Sequence, residues 1–481
     1  MSQCFTDQLC RKVSVSTLPN DVLLEISKFY LDLFQHNYPS FIVDDANLDP
    51  WHALIHVCQS WRYTVFASPL YLNLRLHCTN RTPVRKMLDI WPAFPIVVLC
   101  RKSPHSQLRG ILNVIAALKC PDRVCEINLQ GVPDNLLKRV AAINAPFPAL
   151  TSLQLSSESD DYELAWEPII TDSFLGGIAP RLRSLDLHGI PFPAPQKLLL
   201  SATDLVTLRM ERIPSTGYIP PEHVVTCLST LTKLEELALG FHPPAIHTPE
   251  TSQGLPPVPS ALLPALTSFR FRGDCLYLED FVTRIALPLL DNLDVTLFKW
   301  PIVDSPPLRE FVNRIETLNR HHRADISFHD DFVNITLSQQ GLADCRTIRL
   351  GILCDDLFMQ HLNLMQLWSL CLPSLPTLEH LYIHGHCSFP VDSEHFITEI
   401  LQWPEILHPF TSAKELYLSE KPALQVARAL QGLSGERVTG VLPSLQTISF
   451  FGHEPSEAIL EAIGKYISTL QLSGRSVSVR H

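Results

Sequence analysis

The sequence lacks the short motifs that mark common enzyme sites. It contains no Gly-x-x-x-x-Gly-Lys-Ser/Thr, no Gly-x-Gly-x-x-Gly and no His-Glu-x-x-His, the signatures of P-loop nucleotide binding, dinucleotide binding and zinc proteolysis. The segment Gly432-Leu433-Ser434-Gly435 is too short for a nucleophile elbow, which needs a glycine two residues to each side of the serine. We therefore predict that the chain is not an enzyme and uses no cofactor.

Cysteine pairs at metal-binding spacing are also missing. The 13 cysteines include no Cys-x-x-Cys, and the closest pair is Cys120 and Cys125. An odd count without paired spacing is typical of reduced thiols in the cytosol or nucleus. The segment containing His384, His386 and Cys387 offers three possible ligands, but zinc needs four, usually as two pairs. We predict no metal site and interpret this segment as a polar loop.

Charge is sparse, and long basic or apolar runs are missing. Only 18% of the 481 residues are charged, and the formal net charge is −11. An acidic balance without a basic stripe argues against nucleic acid as a partner. No stretch approaches the ~20 uninterrupted apolar residues of a membrane helix, and the first 17 residues contain no apolar signal region. We expect a soluble intracellular protein, cytoplasmic and/or nuclear, that binds neither nucleic acid nor membrane.

Two stretches near the N-terminus have helical periodicity. The first carries apolar residues at helical spacing: Val22, Leu23, Ile26, Phe29 and Tyr30. Pro19 is expected at its first helical position, where the missing N–H costs nothing. A second helix is expected to begin at Asp49-Pro50. Its apolar face comprises Trp51, Leu54, Ile55, Cys58, Trp61 and Val65. Two helices of this size need a partner or the rest of the chain to be stable.

These two stretches resemble an F-box. Residues 18–26, Leu-Pro-Asn-Asp-Val-Leu-Leu-Glu-Ile, match the leading motif of the family, and residues 57–62, Val-Cys-Gln-Ser-Trp-Arg, match its later helix. Residues 31–50 separate the two halves and are interpreted as an inserted loop. The resemblance implies docking onto a Skp-type adaptor. The implied contact residues are Leu18, Pro19, Val22, Leu23, Ile26, Val57, Cys58, Trp61 and Arg62. Alternatively, the two helices only cap a solenoid.

The rest of the chain repeats the pattern Pro-x-Leu-x-x-apolar-x-apolar. Six segments share this register and begin at Pro148, Pro180, Pro264, Pro288, Pro376 and Pro443. Four more keep the apolar positions without the proline and contain Leu205, Leu234, Ile348 and Leu416. Their spacing resembles that of leucine-rich repeats, slightly stretched from the usual ~20–29 residues, with one longer gap across residues 300–345.

Alternate residues of a short strand point to the same side, so these leucines are expected to line the inner face of stacked parallel strands. The consensus asparagine is absent from most units, so the repeats are irregular. We predict an α/β fold in which a small helical F-box precedes an irregular leucine-rich-repeat solenoid with a parallel sheet. The expected boundaries are 1–16 for a disordered tail, 17–71 for the F-box and 72–481 for the solenoid.

The residues between the inward leucines are expected to face outward. Seven of them are predicted to bind a partner protein: Asp186, Arg209, Glu236, Arg270, Arg349, Tyr382 and Tyr417. Mixed charges and tyrosines are common at protein–protein contacts. The face has no basic stripe, and no stacked aromatics suited to single-stranded nucleic acid are expected. His321 and His322 are interpreted as solvent-facing.

An F-box followed by leucine-rich repeats resembles a set of proteins found in fungi and the substrate receptors of Skp–cullin–F-box ubiquitin ligases. The resemblance implies that the F-box binds the Skp-type adaptor, and through it a cullin–RING ligase. The repeats would bind the protein to be ubiquitinated. Catalysis would belong to the partner enzymes, so this chain would supply proximity. Two alternatives stay open: a repeat scaffold that delivers no substrate, and an enzyme that uses the histidine and cysteine loop.

Overall fold

The computed structural model describes most of the chain. The described residues are 18–37, 56–67, 74–80, 83–90, 93–101, 108–157, 170–192, 196–243, 260–298, 305–315, 321–339, 346–354, 357–371, 375–385, 403–452 and 455–480. The chain divides into two compact units. The first comprises Met1–Asp161 and Ile169–Leu185, and the second comprises Tyr162–Pro168 and Asp186–His481.

Short helices alternate with strands. The α-helices are α1 (Asn20–Asn37), α2 (Gln59–Ala67), α3 (Val84–Ile90), α4 (Leu108–Ala117), α5 (Asp134–Ala141), α6 (Gln196–Ser201), α7 (Pro221–Leu228), α8 (Cys275–Thr283), α9 (Pro306–Arg314), α10 (Leu357–Cys371), α11 (Glu420–Gln431), α12 (Glu436–Gly440) and α13 (Glu457–Leu472). Short 3-10 turns lie at Phe174–Gly177, Ser215–Gly217 and Leu375–Thr377. Among these described helices, none is apolar over a length that could span a bilayer.

The strands are two to nine residues long. They are β1 (Leu74–His77), β2 (Ile96–Arg101), β3 (Val124–Val132), β4 (Ser152–Ser157), β5 (Ser184–His188), β6 (Thr207–Ile213), β7 (Glu236–Phe241), β8 (Ala261–Leu262), β9 (Ser268–Gly273), β10 (Ile285–Ala286), β11 (Asn292–Leu297), β12 (Arg323–Phe328), β13 (Phe332–Ser338), β14 (Thr347–Leu353), β15 (His380–Gly385), β16 (Glu415–Ser419), β17 (Thr447–Phe451) and β18 (Ser478–Arg480).

In the first unit, strands β1 to β4 pair in chain order, and each pair is parallel. Helical or turn segments connect them, as parallel pairing requires. In the second unit the order is β6-β7-β9-β11-β14-β13-β12-β15-β16-β17-β18. Every pair there is parallel except those of β13, which runs antiparallel to both β12 and β14. The fold is therefore mixed α/β with a mostly parallel sheet, consistent with a leucine-rich-repeat layout.

The expectation of an entirely parallel sheet was wrong at residues 323–338. These residues form a hairpin, since only three residues join β12 to β13 and so short a connection permits only antiparallel pairing. The N–H of His329 donates to the carbonyl of Phe332 at 2.9 Å and closes the turn. The hairpin lies within the long gap between the predicted repeats, at residues 323–338.

The predicted inward positions form the core. Each predicted repeat strand is present, and all but one of the paired apolar residues are buried: Leu153, Leu155, Leu185, Leu187, Leu208, Met210, Leu237, Leu239, Phe269, Phe271, Leu293, Val295, Ile348, Leu350, Leu381, Ile383, Leu416, Leu418 and Ile448. Phe450 is only half-buried. The described part of β18 pairs with Thr447, Ile448 and Ser449 of β17.

The N-terminal helices begin at positions other than those expected. The helix α1 starts at Asn20, and Pro19 precedes it, its carbonyl accepting the N–H of Leu23 at 3.1 Å. The helix continues to Asn37, so residues 31–37 are helical where a loop was expected, and residues 38–50 lie outside the described residues.

Residues 56 and 57, which were expected to be helical, form a turn, and α2 begins at Gln59. Cys58 acts as its cap, because its thiol accepts the N–H of Trp61 at 3.4 Å and its carbonyl accepts the N–H of Arg62 at 3.0 Å. Side-chain acceptors at this position satisfy the unpaired N–H groups of the first turn. The predicted residues Trp51, Leu54 and Ile55 lie outside the described residues.

Candidate functional site

A buried polar network holds α1 against α2. The indole Nε1 of Trp61 donates to Oγ of Ser27 at 3.0 Å, and that hydroxyl donates to the carbonyl of Leu23 at 2.7 Å. At the other end of the contact, Oγ1 of Thr64 donates to Oδ1 of Asn20 at 2.9 Å. Because the network is satisfied internally, it fixes the relative position of the two helices. We call α1 and α2 together the helical pair.

The helical pair leaves part of the apolar arc of α1 uncovered. Leu23 is fully buried, whereas Val22, Ile26 and Phe29 are 38%, 39% and 66% exposed. With about 100° of turn per residue, the three exposed side chains fall within an arc of about 60°. Val57, just before α2, is also half exposed. Apolar residues grouped in this way mark a surface that another molecule can cover.

The nine predicted adaptor contacts therefore fall into three groups. Five are exposed: Pro19, Val22, Ile26, Val57 and Arg62. Two are half-buried, Leu18 and Cys58, and two are buried in the helical pair, Leu23 and Trp61. The sequence did not assign Ser27 and Thr64 to the helix contact, although each lies at helical spacing from a motif residue.

In the second unit, the predicted partner-binding residues line the outer face of the sheet. Strand register brings Arg209, Arg270, Arg349, Tyr382 and Tyr417 into one row, although they come from strands far apart in sequence. In spatial order, this outer row is Arg209, Ala238, Arg270, Asp294, Arg349, Thr336, Asp325, Tyr382 and Tyr417.

Most arginines of the outer row are already paired with carboxylates. Arg209 binds Glu236 through two bonds of 2.9 and 2.7 Å. Arg270 lies 3.3 Å from both Glu211 and Asp294. Such paired charges order the side chains but leave little uncompensated charge on this part of the face.

Asp186, on β5, belongs to the same charged group. Burial raises the pKa of its carboxyl, and the nearby charge of Arg209 offsets this only in part. The neighbouring His188, whose Nδ1 lies 3.8 Å from Oε2 of Glu211, is the main cause that lowers the pKa of Glu211, aided by Arg270 against the opposing effect of burial. The predicted residues Asp186, Arg209 and Arg270 are therefore electrostatically coupled.

The other end of the outer row carries a stack of planar groups. The rings of Tyr382 and Tyr417 lie parallel with centroids 4.1 Å apart, and Cζ of Arg323 lies 3.8 Å from the centroid of Tyr382. The hydroxyl of Tyr417 donates to Oε2 of Glu415 at 2.6 Å, and this bond raises the pKa of the tyrosine. The sequence analysis did not identify this tyrosine pair, which forms because Tyr382 and Tyr417 are register partners on adjacent strands.

Arg323 and Asp325, which the sequence did not assign to a site, support this stack. The guanidinium of Arg323 donates to both carboxylate oxygens of Asp325, at 2.6 and 2.7 Å. Burial alone would raise the pKa of Asp325, but hydrogen bonds from His384 and Arg323 outweigh it and hold the pKa below its usual value. Alternation of polar and apolar residues through 323–328 was the signal that could have identified this strand.

Between the charged and aromatic ends, the outer face contains a hollow of about 690 Å³ that reaches from β11 to β15. Its lining includes Asn334 and Thr336 from the hairpin and Arg349 and Gly351 from β14. A Cβ atom at Gly351 would lie 3.3 Å from Cβ of Asn334. Because glycine has no side chain, the bottom of the hollow at Gly351, which we call its floor, remains open.

The predicted polar loop after β15 is only partly described. Nε2 of His384 lies 3.4 Å from Oδ1 of Asp325, whereas His386 and Cys387 fall outside the described residues. Within the described parts of the chain, no three histidine, cysteine or acidic side chains come together as metal ligands.

No protein-family model matches this chain, and no curated protein matches it. Among solved structures, it is similar to the leucine-rich repeat-containing protein LegL7 from Legionella pneumophila. The two are 13% identical with a TM-score of 0.28, over 82% of this chain and 97% of that one.

Proposed function

We propose that this chain is a non-catalytic binding subunit of a Skp–cullin–F-box ubiquitin ligase. The helical pair would dock onto the Skp-type adaptor, and the outer face of the second unit would hold the protein to be ubiquitinated. The observation that carries the proposal is the uncovered apolar arc of Val22, Ile26 and Phe29 on a helix that is fixed by its own buried network. In this role the chain brings two proteins together and needs no catalytic group of its own.

The helical pair suits docking because it is ordered before binding. Trp61 and Ser27 hold α2 against α1 without help from the exposed side chains. Anchors on an ordered element lose less conformational entropy on association than anchors on a loop. The exposed members of the predicted adaptor set would then supply the contact, while Leu23 and Trp61 would support it from beneath.

The outer row suits a protein partner because its side chains are held in place by one another. Stacked tyrosines with an arginine above them form a rigid aromatic surface, and tyrosine and arginine are frequent anchors of protein interfaces. Acidic side chains accompany most of its arginines, which favours a protein over a nucleic acid. Cytosol or nucleus is the proposed location, and the eight cysteines whose side chains are described are free thiols.

The alternative is a repeat scaffold that binds the adaptor or other proteins without delivering a substrate. The same surfaces support it. The two functions differ in what happens to the bound protein when cullin–RING ligases are inhibited. A substrate receptor predicts that the protein bound to the outer face accumulates, whereas a scaffold predicts that its level stays constant.

Replacing the leading motif is expected to abolish adaptor binding. Leu18→Ala combined with Pro19→Ala removes two predicted contacts, and interface anchors typically cost about 2 kcal/mol or more each when truncated. Co-purification of the Skp-type adaptor should therefore be lost. The matched control is Glu25→Ala with Lys28→Ala, which changes exposed residues on another arc of α1.

The thermal midpoint should remain near that of the unmodified chain, because Pro19 is exposed and Leu18 half-buried. Adaptor bound at full strength by the Leu18 and Pro19 variant would mean that the two helices only cap the repeats, and the ligase proposal would be abandoned.

A further inference from the structure

The hollow on the outer face differs from its surroundings in its charge. Asp294 and Asp325 line it, but each carboxylate is engaged by an arginine, Arg270 and Arg323 respectively. Arg349 also lines the hollow and is exposed. Its guanidinium has no carboxylate within 4.0 Å among the described residues, and its one hydrogen bond is a long contact of 3.4 Å from Nε to Oγ1 of Thr336.

We propose that this hollow recognises an acidic side chain of the partner protein, whose carboxylate binds Arg349. The inference rests on the proposed function, because it takes the outer face as the partner-binding surface. A guanidinium offers five donors in a fork that matches both oxygens of a carboxylate. Within the described chain, Arg349 uses only one of these donors, so its two terminal amino groups remain available.

The strand register explains why no acidic residue of the described strands pairs with Arg349. Asp294 lies directly opposite Arg349 on the neighbouring strand, yet its carboxylate is 3.3 Å from Nε of Arg270 on the other side. On the second flank the partner of Arg349 is Thr336, because the hairpin inserts β13 between β14 and β12. Asp325, on β12, is therefore separated from Arg349 by the intervening strand β13.

The rest of the hollow can complete the contact. The side chains of Thr296, Ser327 and Asn334 line it and form no hydrogen bond within the described residues. Each of these side chains has a hydroxyl or amide group that could donate a hydrogen bond to a carboxylate. Gly351 leaves the floor open, and the volume of about 690 Å³ falls within the usual range of ligand pockets, about 300–1,000 Å³. The hollow can therefore admit an aspartate or glutamate side chain of a partner segment.

Selection from a phage library of random 12-residue peptides on the immobilised full chain tests this directly. Enriched peptides should carry a recurring aspartate or glutamate. A synthetic peptide of the enriched sequence should bind Arg349→Gln at least about tenfold more weakly than the unmodified chain, as expected for loss of a charge-assisted hydrogen bond. Replacing the acidic residue of the peptide by its amide should cause the same loss, and combining the two changes should add little further.

Matched variants separate the contact from general charge effects. Arg437→Gln removes an exposed arginine of α12, remote in sequence from the hollow, and should leave peptide affinity unchanged. Gly351→Val should weaken binding by filling the floor while keeping every charge. Peptides without acidic enrichment, equal binding to Arg349→Gln, or no selectable peptide would each overturn the proposal. Adaptor co-purification is scored separately, so failure of the ligase proposal is distinguishable from failure of this site.

Discussion

Lowering the pH from about 7.5 to about 5 is expected to destabilise the second unit by about 4 kcal/mol through two buried histidines. His321 and His361 are 1% and 0% exposed, and neither ring nitrogen of either residue has a hydrogen-bond partner among the described residues. Burial lowers the pKa of each to about 4, and for His321 the neighbouring His322 adds to the effect.

The direction follows from proton binding. In the unfolded chain the ordinary pKa of histidine is about 6.5, so the unfolded state binds protons first as the pH falls and is stabilised by them. The contribution of the two neutral histidines to the free energy of unfolding is fully present above about pH 6.5 and is lost between about pH 6.5 and 4. At about pH 5 each histidine contributes a loss of about 2 kcal/mol.

Urea unfolding at both pH values measures this loss. His361 packs against Phe328 and Trp403, so His361→Leu should fit the site and reduce the pH-dependent loss by about half. His223→Gln, which replaces an exposed histidine, should leave the pH-dependent loss of stability unchanged. The same loss in His361→Leu as in the unmodified chain would show that burial of this imidazole does not cause the acid sensitivity.

Truncating Trp61 to alanine is expected to unfold the helical pair. The indole is 7% exposed, and its Nε1 bonds the buried hydroxyl of Ser27. Removing a buried tryptophan typically costs about 3–5 kcal/mol. This cost is large compared with the folding free energy that two short helices can provide. Amide hydrogen exchange of α1 should accelerate toward unprotected rates.

Trp61→Phe provides the matched control for this effect. It keeps most of the buried ring and removes the bond to Ser27, whose hydroxyl still donates to the carbonyl of Leu23. The free energy of unfolding should fall by about 1 kcal/mol, and the amides of α1 should remain largely protected from hydrogen exchange. Unchanged exchange in Trp61→Ala would mean that the indole does not hold α1 in place.

The repeat strands could be predicted because their signal is local. In most of the predicted strands, period-two alternation identifies buried positions such as Leu381 and Ile383. The β12–β13 hairpin was missed because its two strands lack the Pro-x-Leu register that identified the other repeats. Apolar and polar residues alternate on both sides of the three-residue connection, and this pattern was the signal that indicates a hairpin.

Burial of polar residues and charge pairing could not be predicted in this way. His321 was expected to face solvent because its sequence neighbours are polar, and this was wrong, since it is buried in the folded chain. Helical spacing also does not separate Val22 from Leu23, because both lie on the apolar arc of α1. That Arg349 has no carboxylate partner among the described residues depends on its register with Asp294, 55 residues away along the chain.

Titration of the full chain with purified Skp-type adaptor tests the central proposal most directly. The account predicts a 1:1 complex with micromolar or tighter affinity. Val22→Asp with Ile26→Asp should weaken it at least about 100-fold, because two charges would have to be buried in an apolar contact. Arg349→Gln, on the outer face, should leave it unchanged. No complex with the unmodified chain, or equal affinity in the Val22 and Ile26 variant, would contradict the account.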